Sequence, residues 1–322
     1  MRLRLVPQET KWDFFARPTL WLGISGALMV AAMVSFFLQG LNFGIDFRGG
    51  TTIRTESAQE VVIADYRQAI EPLELGDISI TEVFDVTFEE DQHVTMIRIQ
   101  AQEGEEAVTA DMIKKVEVQL QTVAPDITFV SVESVGPKVS GELINTAVIA
   151  VLLAIGAVLV YIWLRFEWQF AVGAVMALIH DVVLTIGVFS ELQIKFDLAI
   201  IAALLTIVGY SLNDTVVVFD RVRENLRKYK KLELKEVLNL SINETLSRTV
   251  MTSATTLLAL ISLFVLGGDV IRGFVFAMIW GVIVGTYSSI FIASAALLKF
   301  GVKRDWSKQA NTAGNKFADI DA

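Results

Sequence analysis

The chain contains no cysteine, which removes disulfides, thiolate metal sites and cysteine nucleophiles from its chemistry. Histidine is nearly missing as well: only His93 and His180 occur, too few for a histidine-based metal centre. Hydrolase signatures are lacking too. There is no His-Glu-x-x-His, no Gly-x-Gly-Asp and no glycine-rich loop ending in Gly-Lys-Ser or Gly-Lys-Thr, so ATP use is not expected. The chain therefore does not read as an enzyme, and no cofactor, metal or catalytic residue is expected. Nor is there an excess of positive charge. A formal net charge of −9 argues against a nucleic-acid partner.

What the chain has in quantity is apolar residues, 53% of 322, and they gather into long runs. Six runs are long enough to cross a hydrocarbon core, which takes about 20 residues as helix. They lie near Thr19–Leu38, Leu143–Leu164, Phe170–Phe189, Leu198–Phe219, Val250–Leu266 and Gly273–Leu298. The first has too long a core for a signal peptide, and no small-x-small site follows Leu38, so it reads as a retained anchor.

Basic residues set the orientation. Arg2, Arg4, Lys11 and Arg17 precede span one, and Arg165 stands between spans two and three. Arg221, Arg223, Arg227, Lys228, Lys230, Lys231, Lys235 and Arg248 lie between spans four and five. Lys299, Lys303, Arg304, Lys308 and Lys316 follow span six. All four segments fall on one side, the cytoplasm by the positive-inside rule. This predicts cytoplasmic tails at 1–18 and 299–322 and a basic cytoplasmic loop at 220–249.

On the opposite side falls the insert 42–141, with 7 Lys and Arg against 19 Asp and Glu. It is polar and long enough for a core of its own. Its pattern reads strand (Thr51–Thr55), helix (Gln59–Ile70), strand (Ile78–Val86), strand (Val94–Gln100), helix (Glu106–Thr122), strand (Ile127–Val132). That order is the split βαβ, ferredoxin-like arrangement. The expected fold is a six-transmembrane-helix bundle with one ferredoxin-like α+β domain between helices one and two.

An ionisable side chain inside a span costs several kcal/mol, so each needs a reason. Asp214 is one. Thr206, Tyr210, Asn213 and Asp214 fall at helical spacing on span four and form a polar stripe, which must face helices or water. Arg248, Thr252, Thr255 and Thr256 repeat the spacing on span five. If the two spans pack, Arg248 and Asp214 can pair. Burial disfavours the carboxylate's charge and a neighbouring guanidinium favours it, so moving the arginine would switch protonation. A static buried ion pair is the other reading. Asp181, next to His180 in span three, reads equally as a second protonatable site on that path or as a hydrogen-bonded link between helices. Span six presents Ala277, Gly281, Gly285, Ser288 and Ser289 on one small face, suited to close packing within the bundle or against a partner.

Six segments carry a family resemblance. They are Phe43-Gly-Ile-Asp-Phe-Arg-Gly-Gly-Thr, Val135-Gly-Pro-Lys-Val-Ser, His180-Asp181, Gly209-Tyr-Ser-Leu-Asn-Asp-Thr-Val-Val-Val-Phe-Asp-Arg, Asn243-Glu-Thr-Leu-Ser-Arg-Thr and Gly285-Thr-Tyr-Ser-Ser-Ile. In that order, from span one to span six, they resemble the SecD/SecF family of bacterial protein-export subunits, on its SecF side. The resemblance implies a complex with SecD, association with the SecYEG channel and with YajC and YidC, and the bacterial inner membrane as location. It further implies use of the proton motive force to draw preproteins across after the ATP-driven step, with Asp214 and Arg248 in proton passage. Asp46, Arg48, Gly49 and Gly50 would join a periplasmic domain to the membrane. Two rival readings are a proton-driven permease of the same superfamily exporting small molecules or lipids, and a purely structural subunit.

Overall fold

The computed structural model describes residues 10–59, 62–76, 78–83, 88, 92–100 and 108–302. The basic residues expected to orient the chain at Arg2, Arg4, Lys303, Arg304, Lys308 and Lys316 lie outside these, as do parts of the insert's expected elements at 60–61, 84–86 and 106–107.

Between α1 (Pro18–Gln39) and α5 (Pro137–Arg165) the chain builds a small domain. It begins with a four-residue helix, α2 (Ile45–Arg48), which the hydrophobic pattern does not announce. Then follow β1 (Gly50–Ser57), α3 (Ile63–Ile70), β2 (Ile78–Val83), β3 (His93–Gln100), α4 (Ala110–Gln121) and β4 (Thr128–Val135). The sheet order is β2-β3-β1-β4 with every neighbouring pair antiparallel, the ferredoxin-like order expected. Alternation explains its two faces. Ile53, Ile97 and Ile80 are paired across three strands and buried against Tyr66 and Ile70 of α3 and Val116 and Leu120 of α4. Thr52, Arg54, Met96 and Arg98 fall on the other face. α4 starts where Thr109 Oγ1 accepts from the Met112 N–H at 3.3 Å, an N-cap.

The bundle comprises α1, α5, α6 (Trp168–Glu191), α7 (Leu198–Lys228), α8 (Leu234–Leu266) and a last span of α9 (Gly268–Ser288), a π-helical turn (Ser289–Ala293) and α10 (Ser294–Phe300). Six of these helical segments are long and apolar enough to span a membrane. α6 and the last span are mostly buried, whereas α1, α5 and α8 leave most of their apolar surface uncovered. Such surface belongs against lipid or a partner helix.

One expectation needs correction. The stretch 220–249 is no loop: α7 continues to Lys228 and α8 begins at Leu234, so only five residues, Tyr229–Glu233, connect them. Hydropathy marks only the part of a helix in lipid, and these helices run past it. A capping box at Glu233 and Glu236 starts α8. Against this polar extension lies the segment before α1. Asn243 accepts from the Trp12 N–H (2.9 Å) and donates to the Trp12 carbonyl (2.8 Å), Asn239 accepts from the Phe14 N–H (2.9 Å), and Phe15 is buried.

Candidate functional site: a buried carboxylate centre in the bundle

Two carboxylates stand in the middle of the bundle, and their surroundings differ. Asp181 of α6 is 1% exposed. Its Oδ2 accepts from Ser211 Oγ of α7 at 2.6 Å and from Ser288 Oγ of α9 at 2.8 Å, and its Oδ1 lies 3.0 Å from His180 Nδ1. Thr185 donates to the Asp181 carbonyl at 2.7 Å. One side chain thus ties three helices together. Such hydrogen bonds link spans where water cannot compete.

Asp214 lies one helical turn beyond Ser211 on α7 and is 3% exposed. Among the described residues its Oδ2 has no hydrogen-bond partner, although a buried oxygen of this kind ordinarily has one. The carboxylate that the sequence set apart is therefore the incompletely satisfied member of the two.

Helix register explains how Arg248 relates to it. Asn225 donates to Ser241 (3.1 Å), Arg221 to Glu244 (2.6 Å) and Tyr210 to Thr256 (3.4 Å), so α7 and α8 run antiparallel along one another. Extending these pairs puts Thr252 level with Asp214. Arg248 falls one turn, about 6 Å, farther from the domain. It sits on the exposed face of α8, and no ion pair joins it to Asp214, though its charge still acts on the carboxylate through space. The expected direct pair is absent because register and helix rotation separate the two groups.

The polar stripe on α7 divides in the same way. Asp214 is buried, Tyr210 is half-buried against Thr256, and Thr206, Gly209 and Asn213 are exposed. Together with Arg248, Met251 and Thr255 of α8 they form a face with small and polar character that this chain leaves uncovered.

Gly281 and Gly285 work inside the bundle. A Cβ on Gly281 would lie 2.3 Å from Ile207 Cγ1, and one on Gly285 would lie 3.1 Å from Ser211 Cβ. The two contacts share one offset, so α9 and α7 run parallel in close contact and Ser288 is brought level with Asp214. Directly after Ser288 the helix opens into the π-helical turn, where Ser294 Oγ donates to the Ser289 carbonyl at 3.3 Å. Insertions of this kind are frequent at functional sites. His180 stacks near Tyr287, whose hydroxyl is 2.8 Å from Ser25 of α1, and His180 Nε2 is buried without a partner. The roles of Ser211, Ser288 and Tyr287 were not foreseen. All three stand in the motifs quoted above, but nothing in a linear motif says which carboxylate a hydroxyl meets.

At the domain side, the segment before β1 grips the start of α7. Asp46 Oδ2 accepts from the Leu198 N–H at 3.0 Å, while Gly44 N donates to the Phe196 carbonyl (2.8 Å) and Phe196 N to the Asn42 carbonyl (2.8 Å). Gly49 and Gly50 turn the chain into β1 at φ of +74° and +125°, where a side chain would be strained. Asp46, Gly49 and Gly50 thus meet at the junction. Arg48, in the same segment, is exposed and lines a small pocket together with Gly49 and Arg98.

Fold and site define a multi-pass membrane protein with an acidic polar centre and a small α+β domain fastened to one core helix. Comparison with known proteins specifies it further. Residues 115–303 match the family described as protein export membrane protein SecD/SecF, C-terminal, and residues 34–61 match the SecD/SecF GG motif. The protein translocase subunit SecF of Cereibacter sphaeroides is 61% identical over 100% of this chain and 99% of its own length. That of Rhodobacter capsulatus is 57% identical over 96% and 94%. The crystal structure of SecDF, a translocon-associated membrane protein from Thermus thermophilus, superposes with a TM-score of 0.80 at 35% identity. It is covered over 93% of this chain but only 40% of its own, so the chain spans less than half of that protein. The chain belongs to the SecD/SecF family, and with it is a subunit of the Sec protein translocase.

Proposed function

We propose that this chain, paired with SecD in the bacterial inner membrane, passes protons through the Asp214 centre and uses them to promote preprotein export through SecYEG after the ATP-driven step. The observation that carries the reading is the buried Asp214 oxygen without a donor. Asp181, already accepting from Ser211 and Ser288, acts as the fixed link around which α6, α7 and α9 are held. Asp214 takes up and releases the proton, and Arg248, a turn away, swings toward it when the carboxylate is charged. Tyr210 and Asn213 line the same path.

The exposed face of Thr206, Gly209, Asn213, Arg248 and Thr255 is where SecD docks, since polar groups at this depth need helices or water around them. YajC and YidC would join the same assembly outside this face. Arg165 and the basic run from Arg221 to Lys235 support cytoplasmic tails and a periplasmic acidic domain 42–141, where the emerging preprotein is met. Motion reaches that domain through the Asp46–Leu198 contact. Each proton crossing about 100 mV supplies roughly 2.3 kcal/mol, enough to bias a two-state equilibrium more than tenfold.

Asp214→Asn tests this in vesicles holding the chain with SecD and SecYEG. Proton-dependent export should fall to background while insertion and complex recovery stay intact; full proton-dependent export in that variant would overturn the reading.

A further inference from the structure

Two neighbouring cavities on the domain side of the bundle share Phe43 in their linings. The larger, about 520 Å³, is a groove with apolar side chains of Phe36 and Phe37 from α1, Ile144 and Val148 from α5, and Val183 and Leu204 from α6 and α7. Phe37 and Val148 are exposed there, so the groove opens toward the bilayer in the domain-side half of the spans. The smaller cavity, about 180 Å³, lies just beyond the end of α1, at the level of lipid headgroups. Its lining includes Arg48, Arg98 and Ser79 and contains no carboxylate.

Among the described residues neither arginine is in direct contact with an acid, although the domain is strongly acidic. Neither makes an ion pair with a described residue, and the buried Nε of Arg98 has no hydrogen-bond partner among them. Burial pushes the Arg98 guanidinium below its ordinary pKa, and Arg48's charge acts in the same direction. The acids nearby are otherwise engaged. Asp46 accepts from the Leu198 N–H, and Asp197, which attracts Arg98 through space, accepts from the Ile200 N–H and lies 3.8 Å from Lys195. Two guanidinium groups sharing a pocket without an acid call for an external anion, and a phosphate fits their donor geometry.

We propose that the chain binds one anionic phospholipid here, its phosphate between Arg48 and Arg98 and an acyl chain in the groove between α1 and α5. Phe43 lines both cavities, and their adjacency favours a lipid over a free anion: one cavity wants negative charge, the other only hydrocarbon. Because Asp46 and Phe43 belong to the same short segment, a bound lipid would also brace the connection between the domain and α7.

Native mass spectrometry of the full-length chain in detergent, with added phosphatidylglycerol or phosphatidylcholine, tests the site. The unaltered chain should retain phosphatidylglycerol at least tenfold better than phosphatidylcholine. Arg48→Gln, a change at an exposed side chain that leaves the fold undisturbed, and Arg98→Gln should each remove most of that preference. Val148→Trp, which narrows the groove, should weaken retention of both lipids. Equal retention of the two lipids by the unaltered chain overturns the proposal, as does undiminished preference in Arg48→Gln. Displacement of bound lipid by equimolar glycerol phosphate would overturn it in favour of a free-anion site. Should Arg98→Gln fail to insert, Arg48→Gln and Val148→Trp decide the matter.

Discussion

Asp46 accepts a 3.0 Å hydrogen bond from the backbone N–H of Leu198, so the segment leading into the α+β domain caps the helix that bears Asp214. The helix also has its own N-cap, Asp197, which accepts from the Ile200 N–H at 3.3 Å. α7 does not need Asp46 to form. What Asp46 adds is a fixed connection between the domain and the first turn of the helix.

Asp46→Ala should therefore loosen that connection without unfolding either part. A lost cap is worth about 0.5–2 kcal/mol. Hydrogen exchange at the amides of Leu198 to Ile200 should accelerate, and proton-dependent export should drop, while Asp46→Asn, which keeps an acceptor, should restore much of both. Unchanged exchange in the alanine variant would show that the contact is incidental.

The two intramembrane carboxylates should behave differently on substitution. Ser211→Ala or Ser288→Ala removes one of the donors to Asp181 and should cost about 1–2 kcal/mol of bundle stability, the scale of interhelical hydrogen bonds in membranes. Asp214→Asn breaks no hydrogen bond at Oδ2 and should cost less stability than either serine change. Thermal or denaturant unfolding in detergent would report both; the opposite ranking would contradict the division of labour between the two acids.

At the α7–α9 contact, Gly281→Ala should be the harsher change. Its Cβ would meet Ile207 at 2.3 Å, whereas at Gly285 the neighbour, Ser211 Cβ, is 3.1 Å away. Overpacking of this sort typically costs about 1–3 kcal/mol. Gly209→Ala, with nothing within 4 Å of the added atom, should leave the isolated chain's stability unchanged. It should reduce recovery of the partner in co-purification, because Gly209 sits on the uncovered face.

Acid should weaken the α+β domain through Asp126. The Ala58 N–H donates to its Oδ2 at 2.6 Å and Ser57 Oγ at 3.1 Å, and the Ala58 bond foremost holds the carboxyl below its ordinary pKa. A depressed folded-state pKa means stability that is present above the unfolded value, about 3.9, and is lost as pH falls through the lower folded value. Melting curves of the chain between about pH 6 and about pH 3 should fall less steeply for Asp126→Asn than for the unaltered protein.

Much of this protein is written locally. Runs of apolar residues set six spans because hydrocarbon excludes unpaired backbone groups, and alternation in Val94–Gln100 sets a strand with two unlike faces. The ferredoxin-like order and the anomaly of Asp214 were legible for the same reason. Helix ends were less so: hydropathy stops at the membrane surface, whereas α7 and α8 run on beyond it to Lys228 and from Leu234. Partnerships were not legible at all. Whether Asp181 meets Ser211 and Ser288, whether Arg248 reaches Asp214, and whether Asp46 caps α7 depend on the rotation and offset of packed helices. Those are set by close contacts such as Gly281 on Ile207, between residues far apart in the chain. The sequence by itself determined which groups are placed in the membrane; only the tertiary structure decided which of them is left without a partner.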